Sequence, residues 1–162
     1  DAGEVRWRSG VRFSDFVKVL AALDPSERVF HCAMAAPQQF LSSHEMPTQK
    51  SVLRFLRMLG FSEAELQLRI GTLSGGQRAR LALAWCLTSG PAVVILDEPT
   101  NHLDMRSAQI MERALVKFPG AVIAVSHDRF FVDKIAAQLM VFGPDGHVEV
   151  RGGGWSEYAA SD

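Results

Sequence analysis

The chain has 162 residues, of which 48% are hydrophobic and 22% charged, and this composition predicts one folded globular unit and excludes an intrinsically disordered chain. The 17 Lys and Arg residues nearly balance the 18 Asp and Glu residues. A net charge of −1 excludes a protein that is basic throughout, although a local basic patch remains compatible with it.

The cysteines and the apolar runs indicate the cellular location that we expect for the chain. Cys32 and Cys86 are the only cysteines, and neither has a zinc-type spacing to a histidine, so we expect no disulfide framework and no structural metal site. This usage suits a reducing cytoplasmic location. The longest aliphatic run, residues 92–96, is far shorter than the roughly 20 apolar residues of a membrane helix, and we expect no membrane insertion.

The first third of the chain predicts short strands followed by two helices. Residues 3–7 read as a strand already under way after Asp1, which suggests a piece of a longer protein, and residues 11–13 read as a second strand. Asp24, Pro25 and Glu27 resemble the start of a helix over residues 25–34. A polar loop between Pro37 and Pro47 would follow.

A second predicted helix follows that loop. Val52, Phe55, Leu56 and Leu59 recur at the spacing of one helix face, and Gly60 would end the helix.

From residue 66 onward, short aliphatic strands alternate with helices. We expect strands over residues 92–96 and 121–125, and helices over residues 105–118 and 128–137. This alternation is typical of a parallel α/β sheet. Because both strands are continuously apolar, we expect them to be covered on both faces. Residues 139–142 and 147–151 would form a hairpin around the turn at residues 143–146.

Two adjacent carboxylates end the first of these strands. Asp97 and Glu98 would lie beyond the carboxyl end of a parallel strand, where such sheets bind ligands. Successive side chains point in opposite directions, so one carboxylate can hold Mg²⁺ through water while the other positions an attacking water. The alternative is an acidic pair in a solvated turn.

A helix start upstream offers a phosphate-binding surface. Ser74 and Gln77 fit a capping box, and the helix that they begin would have free backbone N–H groups next to Gly75 and Gly76. The alternative is a glycine-containing cap that binds nothing.

A histidine follows the next predicted strand. His127 would lie at the same edge of the sheet as Glu98, where it can hydrogen-bond a terminal phosphate or steady the catalytic water. A lone histidine at this place can also be purely structural.

The order of these motifs resembles the ATP-binding cassette (ABC) ATPases over about the last two thirds of the chain. LSGGQ at residues 73–77, VVILDEPTNHLD at residues 93–104 and VSHDRFF at residues 125–131 carry the resemblance. It implies a P-loop NTPase-like α/β cassette that binds ATP and Mg²⁺ and pairs with a second cassette. The resemblance implies that residues 73–77 are the signature motif and that residues 101–104, which end in Asp104, are the D-loop. It also implies that Asp97 is the Walker B aspartate, Glu98 the catalytic glutamate and His127 the switch histidine.

EPTNHLD followed by SHDRFF is more similar to the ABC-F branch, whose soluble tandem-cassette members act on ribosomes. The resemblance implies a core and Q-loop region over residues 1–23, a helical subdomain over residues 24–88 and a catalytic α/β core over residues 89–162. The short stretch between Ser14 and the signature leaves little room for the arm insertion typical of a first cassette, which favours the second.

The chain also departs from the family pattern. No G-x-x-x-x-G-K-[ST] loop occurs in these residues, and Lys50-Ser51 is not such a loop because no glycine precedes it at the required positions. At the Q-loop position, alignment favours Lys18, and Gln38 is the other candidate. We expect Lys18 to approach a nucleotide phosphate, although it cannot bind a metal ion as an amide oxygen does.

Two other functions stay open: the nucleotide-binding subunit of a membrane transporter, and a non-catalytic cassette fragment. Without the phosphate loop, we expect the chain alone to bind ATP poorly and to expose apolar sheet surface. We also expect Trp85 and Phe130 to pack in the core or at an interface, and Arg78 and Arg80 to lie on a solvated helix face.

Overall fold

The computed structural model describes residues 4–40, 48–143 and 145–161, with the backbone alone for residues 36–40. The helices are α1 (Phe16–Ala22), α2 (Val29–Phe40), α3 (Gln49–Met58), α4 (Glu63–Leu66), α5 (Gly75–Thr88), α6 (Met105–Val116), α7 (Arg129–Ile135) and α8 (Trp155–Ala159). The strands are β1 (Phe13–Asp15), β2 (Val93–Asp97), β3 (Ala121–Val125), β4 (Gln138–Phe142) and β5 (Val148–Gly152). A 3₁₀ turn spans Ile70–Thr72.

A three-stranded parallel sheet in the order β1-β2-β3 positions the site. Strand β2 lies in the centre, and its Val94 and Leu96 are completely buried. Helices α6 and α7 follow β2 and β3 along the chain. The predicted alternation of parallel strands and helices is therefore confirmed, with both strands within one residue of their predicted bounds.

Strand β3 is exposed where continuous apolar sequence predicts burial. Ile123 is 50% exposed and Val125 is 60% exposed. Within the described ranges, β3 pairs with β2 on one side and with no strand on the other. The prediction that both faces of β3 are covered is thus wrong. An apolar run shows that a strand prefers burial, but burial also requires another element of the fold to pack against it. The expectation of exposed apolar sheet surface is confirmed.

Helix α5 is the central helix. It packs against α1, α2 and α6, and its Leu81, Leu83 and Cys86 have no exposed surface. Burial raises the pKa of the Cys86 thiol to about 11, which keeps this thiol protonated and unreactive. Trp85 packs against the core, as predicted, but Phe130 is 84% exposed and is therefore not a core residue.

The predicted helix over residues 25–34 is wrong at its start. Asp24 accepts hydrogen bonds from the Ser26 amide and hydroxyl, both at 2.8 Å, and caps a turn rather than a helix. The next residues pair with a distant segment: the amide of Val29 donates to the Leu68 carbonyl at 3.1 Å, and that of Ile70 donates to the Glu27 carbonyl at 2.9 Å. This pairing consumes the backbone groups that a helix would use, so α2 begins only at Val29.

Other local predictions have mixed outcomes. The predicted amphipathic helix is α3, with Val52 and Leu56 buried and a left-handed Gly60 after its end. The hairpin is confirmed as the antiparallel pair of β4 and β5. Residues 4–8 form no strand, whereas the predicted second strand is present as β1, shifted to Phe13–Asp15. Helix α2 continues to Phe40, and the rest of the predicted polar loop, residues 41–47, lies outside the described residues.

Candidate functional site

The carboxyl ends of the parallel strands bring the acidic side chains to one edge of the sheet. In the register of the sheet, Asp15 of β1 lies opposite Ile95, and Asp97 of β2 lies opposite Val125. Asp97 is exposed at the end of a strand whose other residues are buried or half-buried. The sheet thus places the exposed Asp97 carboxylate at the carboxyl end of its central strand, as predicted.

Glu98 is held in an unusual backbone conformation. Its φ is +43°, in the left-handed region, and its amide donates to the Val125 carbonyl at 2.8 Å. A non-glycine residue in this region is strained, and such strain is common at functional sites. The hydrogen bond to Val125 ties this conformation to strand β3, so the sheet fixes the backbone position from which the Glu98 side chain extends.

The structure brings Glu98 and His127 together, as the sequence predicted. The backbone amide of His127 donates to the Glu98 carboxylate, with Oε1 at 3.1 Å and Oε2 at 3.4 Å. The imidazole Nε2 lies 3.5 Å from the same Oε1. The Glu98 side chain is 23% exposed and that of His127 is 97% exposed. The carboxylate is therefore oriented by protein groups, while the imidazole is free to meet a ligand.

A cavity of 570 Å³ lies in front of this edge. Its walls include Asp97 and Glu98 from the end of β2, Gly75 and Arg78 from the first turn of α5, and Phe16 from α1. The acidic edge and the start of α5 thus face the same space.

The start of α5 has the predicted capping box. The Gln77 amide donates to the Ser74 hydroxyl at 3.2 Å, and the Ser74 amide donates to the Gln77 side-chain oxygen at 2.8 Å. Ser74 and Gly75 are exposed. The Gln77 side-chain nitrogen donates to Glu65 at 2.6 Å. Of these residues, Ser74 and Gly75 are accessible to a ligand, whereas the Gln77 amide group is occupied by its own chain.

Gly76 faces the interior rather than the cavity. A Cβ atom at Gly76 would lie 2.7 Å from the Ser107 hydroxyl and 3.0 Å from the Asp104 carboxylate, whereas a Cβ at Gly75 would meet nothing within 4 Å. Gly76 is therefore required by the close approach of α5 to α6. The glycine is thus needed for helix packing, which the sequence analysis did not predict.

Asp104 begins helix α6. One of its carboxylate oxygens accepts from the Ser107 amide at 2.9 Å and the other from the Ser107 hydroxyl at 2.8 Å. These hydrogen bonds, the amide first, lower the pKa of Asp104 below its ordinary value, and the carboxylate stays ionised. The structure thus gives Asp104 an N-cap role beside Gly76. Its contact with a nucleotide stays a prediction.

Lys18 and Asp15 form a pair at the end of β1. The Lys18 ammonium lies 3.4 Å from an Asp15 carboxylate oxygen, and its side chain is 81% exposed. The Asp15 carboxylate also caps α1 through the Lys18 amide at 3.2 Å. Sequence reasoning missed Asp15, although a carboxylate between a strand and a helix is a typical N-cap. The backbone of Gln38 belongs to α2, and its side chain is outside the described part of the chain.

Arg80 is buried, so the prediction that it lies on a solvated face is wrong. The residue is 8% exposed, whereas Arg78 is exposed as predicted. Helical spacing places Arg80 on the same face as Gly76 and Gln77, which turn inward at the start of α5. Polarity alone does not reveal this, because Arg can be buried where the fold supplies acceptors.

The described ranges contain no cluster for a metal ion and no helix that could cross a membrane. Within them, no group of three or more His, Cys, Asp and Glu side chains is arranged to hold a metal ion. None of the helices there has the length and apolar character to span a bilayer.

Comparisons with known proteins find a matching family, curated relatives and solved structures of the same fold. The family model described as "ABC transporter" matches residues 6–101. The energy-dependent translational throttle protein EttA of Haemophilus influenzae is 41% identical over 118 residues, which are 73% of this chain and 20% of the relative. The chain therefore spans only about a fifth of the length of that protein.

Two solved structures share the fold. One is a dimeric post-hydrolysis ATP-binding cassette bound to ADP and Pi, with a TM-score of 0.69 at 19% identity, covering 88% of this chain and 63% of that chain. The other is the archaeal ribosome recycling factor aABCE1 in complex with the ribosomal stalk protein aP1, with a TM-score of 0.70 at 23% identity. The latter match covers 99% of this chain and 31% of that chain.

Proposed function

Since this chain belongs to the ABC transporter family, we propose that it is part of an ATP-binding cassette that hydrolyses MgATP together with a second cassette. The observation that carries the proposal is the oriented Glu98 carboxylate. It is held by the His127 amide at the sheet edge, beside the exposed Asp97 and across a cavity from the start of α5.

The residues at the sheet edge have distinct roles in the proposed reaction. Glu98 orients a water molecule for in-line attack on the γ-phosphate, and its two backbone-anchored oxygens limit how that water can move. His127 contacts the terminal phosphate with its exposed imidazole. Groups that the fold itself holds in position need little reorganisation in the reaction.

Asp97 is the residue that would hold Mg²⁺. Mg²⁺ in nucleotide sites uses one or two carboxylates together with water and phosphate oxygens, so a single exposed carboxylate fits it without a larger cluster of protein ligands. When bound, the ion neutralises charge on the β- and γ-phosphates. Lys18, paired with Asp15, supplies a positive charge near this edge rather than a metal ligand.

The start of α5 would bind the nucleotide held by the other cassette. The free N–H groups and the positive end of the helix dipole favour phosphate at Ser74 and Gly75, while Gly76 and Gln77 keep the helix start in place. Asp104 would approach the same nucleotide from the start of α6. No G-x-x-x-x-G-K-[ST] loop, which would cradle the β- and γ-phosphates, occurs among these 162 residues.

We further propose an ABC-F-type role in translation, with the ribosome and its RNA as partners and the cytoplasm as location. The relative named as a translational throttle supports this role, as does the motif order EPTNHLD and SHDRFF. The division into residues 1–23, 24–88 and 89–162, and the assignment to a second cassette, are parts of the same proposal.

A transporter subunit and a non-catalytic cassette are the alternatives. The family description itself favours the first, and the lack of a phosphate loop in these residues favours the second. Sedimentation of the complete protein with ribosomes in a sucrose gradient, rather than with the membrane pellet, separates the translation role from the transporter role.

The Glu98→Gln variant of the complete two-cassette protein tests the catalytic assignment. We expect ATP to bind as in the wild type but turnover to fall by about 10²–10³-fold, which is roughly 3–4 kcal/mol of barrier, because the amide cannot orient the water as a carboxylate does. Phosphate release measures turnover, and retention of labelled ATP measures binding. Glu149→Gln, on the surface of β5, is the matched control and should hydrolyse ATP normally. Unchanged phosphate release in Glu98→Gln would contradict the assignment and favour the non-catalytic alternative.

A further inference from the structure

A buried guanidinium lies one turn behind the start of α5. Arg80 Nη1 donates to the Leu59 carbonyl at 2.8 Å, and the guanidinium carbon lies 5.2 Å from the centre of the Phe61 ring. The buried Nε has no acceptor within residues 4–40, 48–143 and 145–161. A charge this deeply buried is costly, and it persists only where the surroundings hold it.

The end of α3 is shaped to receive this side chain. Gly60 has a φ of +80°, and a Cβ atom there would lie 2.7 Å from Arg80 Nη1. A side chain at position 60 would therefore strain the backbone and push the guanidinium away from the Leu59 carbonyl. Leu59 is the C-cap of α3, so its carbonyl lies at the negative end of the helix dipole, where a cation is favoured.

Two carboxylates on other elements stabilise the positive charge. Burial lowers the pKa of Arg80, while first Glu65 and then Asp104 oppose this shift. Glu65 is itself held by Ser62 in the capping box of α4, and Asp104 is held by Ser107 at the start of α6. Both carboxylates have a pKa below the ordinary value, chiefly because of those hydrogen bonds.

The same two carboxylates contact the start of α5 directly. Glu65 accepts the hydrogen bond from the Gln77 side chain at 2.6 Å. A carboxylate oxygen of Asp104 lies 3.0 Å from the position that a Cβ atom of Gly76 would occupy. Gly76, Gln77 and Arg80 therefore form one inward face of α5 that meets the end of α3 and the starts of α4 and α6. The opposite face carries the exposed Gly75 and Arg78.

We propose that Arg80 is a positioning residue that holds the first turn of α5 against α3, α4 and α6, and thereby sets where Ser74 and Gly75 meet a nucleotide. The proposal rests on the function proposed above. Arg80 acts through the helix and does not touch the nucleotide. Its loss leaves the phosphate loop of the cassette pair untouched, so nucleotide affinity at that loop is preserved while the alignment needed for turnover is lost.

The test compares Arg80→Met, Arg80→Lys and the exposed control Arg54→Met in the complete two-cassette protein. Turnover is measured as kcat per bound nucleotide, so that a smaller folded fraction does not count as a smaller rate. We expect Arg80→Met to lower kcat by roughly tenfold or more while KM changes by less than about threefold, because small displacements of positioning groups affect the reaction step most. Arg80→Lys keeps the charge and one donor but not the planar contact with Phe61, and it should recover part of the rate.

Hydrogen exchange of the nucleotide-free proteins gives a readout that does not depend on hydrolysis. In Arg80→Met, the amides at the start of α5 and the end of α3 should exchange faster than in the wild type, whereas Arg54→Met should leave them unchanged. If Arg80→Met does not fold, Arg80→Lys carries the same comparison with a smaller expected effect.

The outcomes separate this inference from the proposed function. A kcat within about twofold of the wild type in both Arg80 variants, or wild-type exchange at the start of α5, overturns the positioning role. A wild type that hydrolyses no ATP overturns the proposed function instead, and the exchange comparison then decides whether Arg80 anchors the helix start.

Discussion

Gly75 and Gly76 are adjacent and chemically identical, yet their surroundings give them different roles. Gly75 faces open space at the cavity, and Gly76 lies against Ser107 and Asp104 of the neighbouring helix. A methyl group at each position is therefore a matched pair of substitutions, in which one probes the ligand surface and the other probes helix packing.

We expect Gly76→Ala to lower the free energy of unfolding by about 1–3 kcal/mol, because its Cβ would force α5 and α6 apart. Gly75→Ala should leave that free energy unchanged or raise it by up to about 1 kcal/mol, since Ala is favoured over Gly in a helix. Denaturant unfolding of both variants measures the difference.

ATP turnover of the complete protein then compares the effects of the two substitutions on function. Gly75→Ala should reduce turnover without loss of stability, because its methyl group lies on the surface assigned to phosphate. Equal stability of the two variants would show that Gly76 is not packed as described.

At the scale of elements, helix α8 is held to α7 by a side-chain cap. Asp133 of α7 accepts from the Ser156 amide at 2.8 Å and from the Ser156 hydroxyl at 2.5 Å. Arg129 of α7 lies over the Trp155 ring at 4.6 Å. Gly154 is required here, because its Cβ would lie 2.6 Å from an Asp133 oxygen. The segment after the hairpin is thus docked by α7, the helix that follows His127.

This contact predicts a pH dependence. The Ser156 hydrogen bonds lower the pKa of Asp133, so their stabilisation is present above the ordinary Asp pKa of about 3.9 and is lost as the pH falls through the lower value in the folded state. At pH 7, Asp133→Asn should lower the Tm below that of the wild type. The Tm difference from the wild type should shrink as the pH is lowered below about 4.

Thermal unfolding over a pH series measures this dependence. Glu112→Gln, on α6, serves as the control and should follow the wild-type pH profile. A Tm difference for Asp133→Asn that stays constant down to acidic pH would contradict the assignment.

At the scale of the whole molecule, one side of the sheet and the hairpin present large apolar side chains to solvent. These side chains are Ile123, Val125, Met140, Phe142 and Val150, each at least half exposed. Helices α1 and α5 pack against strands β2 and β1 of the same sheet. An apolar surface of this kind destabilises a chain in isolation and favours association.

Because the folded 162-residue chain exposes this surface, it should bind an apolar dye such as ANS. Because it has no phosphate loop, it should bind MgATP with a Kd above about 100 µM. Calorimetric titration and dye fluorescence measure these two properties, and the complete two-cassette protein is the control for both. Micromolar affinity of the isolated chain for MgATP would mean that these residues hold the phosphates without the missing loop.

Local sequence signals predicted the parts of this protein that depend on neighbours along the chain. The capping box of Ser74 and Gln77, the amphipathic α3 and the strand that ends in Asp97 follow from short-range spacing and backbone hydrogen bonding. The order of the motifs identified the family, and the shared edge of Glu98 and His127 followed from the rule for parallel strands.

The tertiary structure alone decided which groups meet across long separations. It buried Arg80 against Leu59, placed Gly76 on Ser107, and drew residues 25–28 into pairing with residues 67–71 in place of a helix. It also left β3 without a second neighbour within the described ranges. The physical reason is that burial and hydrogen-bond satisfaction are properties of the packed whole, so a residue's own polarity and its sequence neighbours do not determine them.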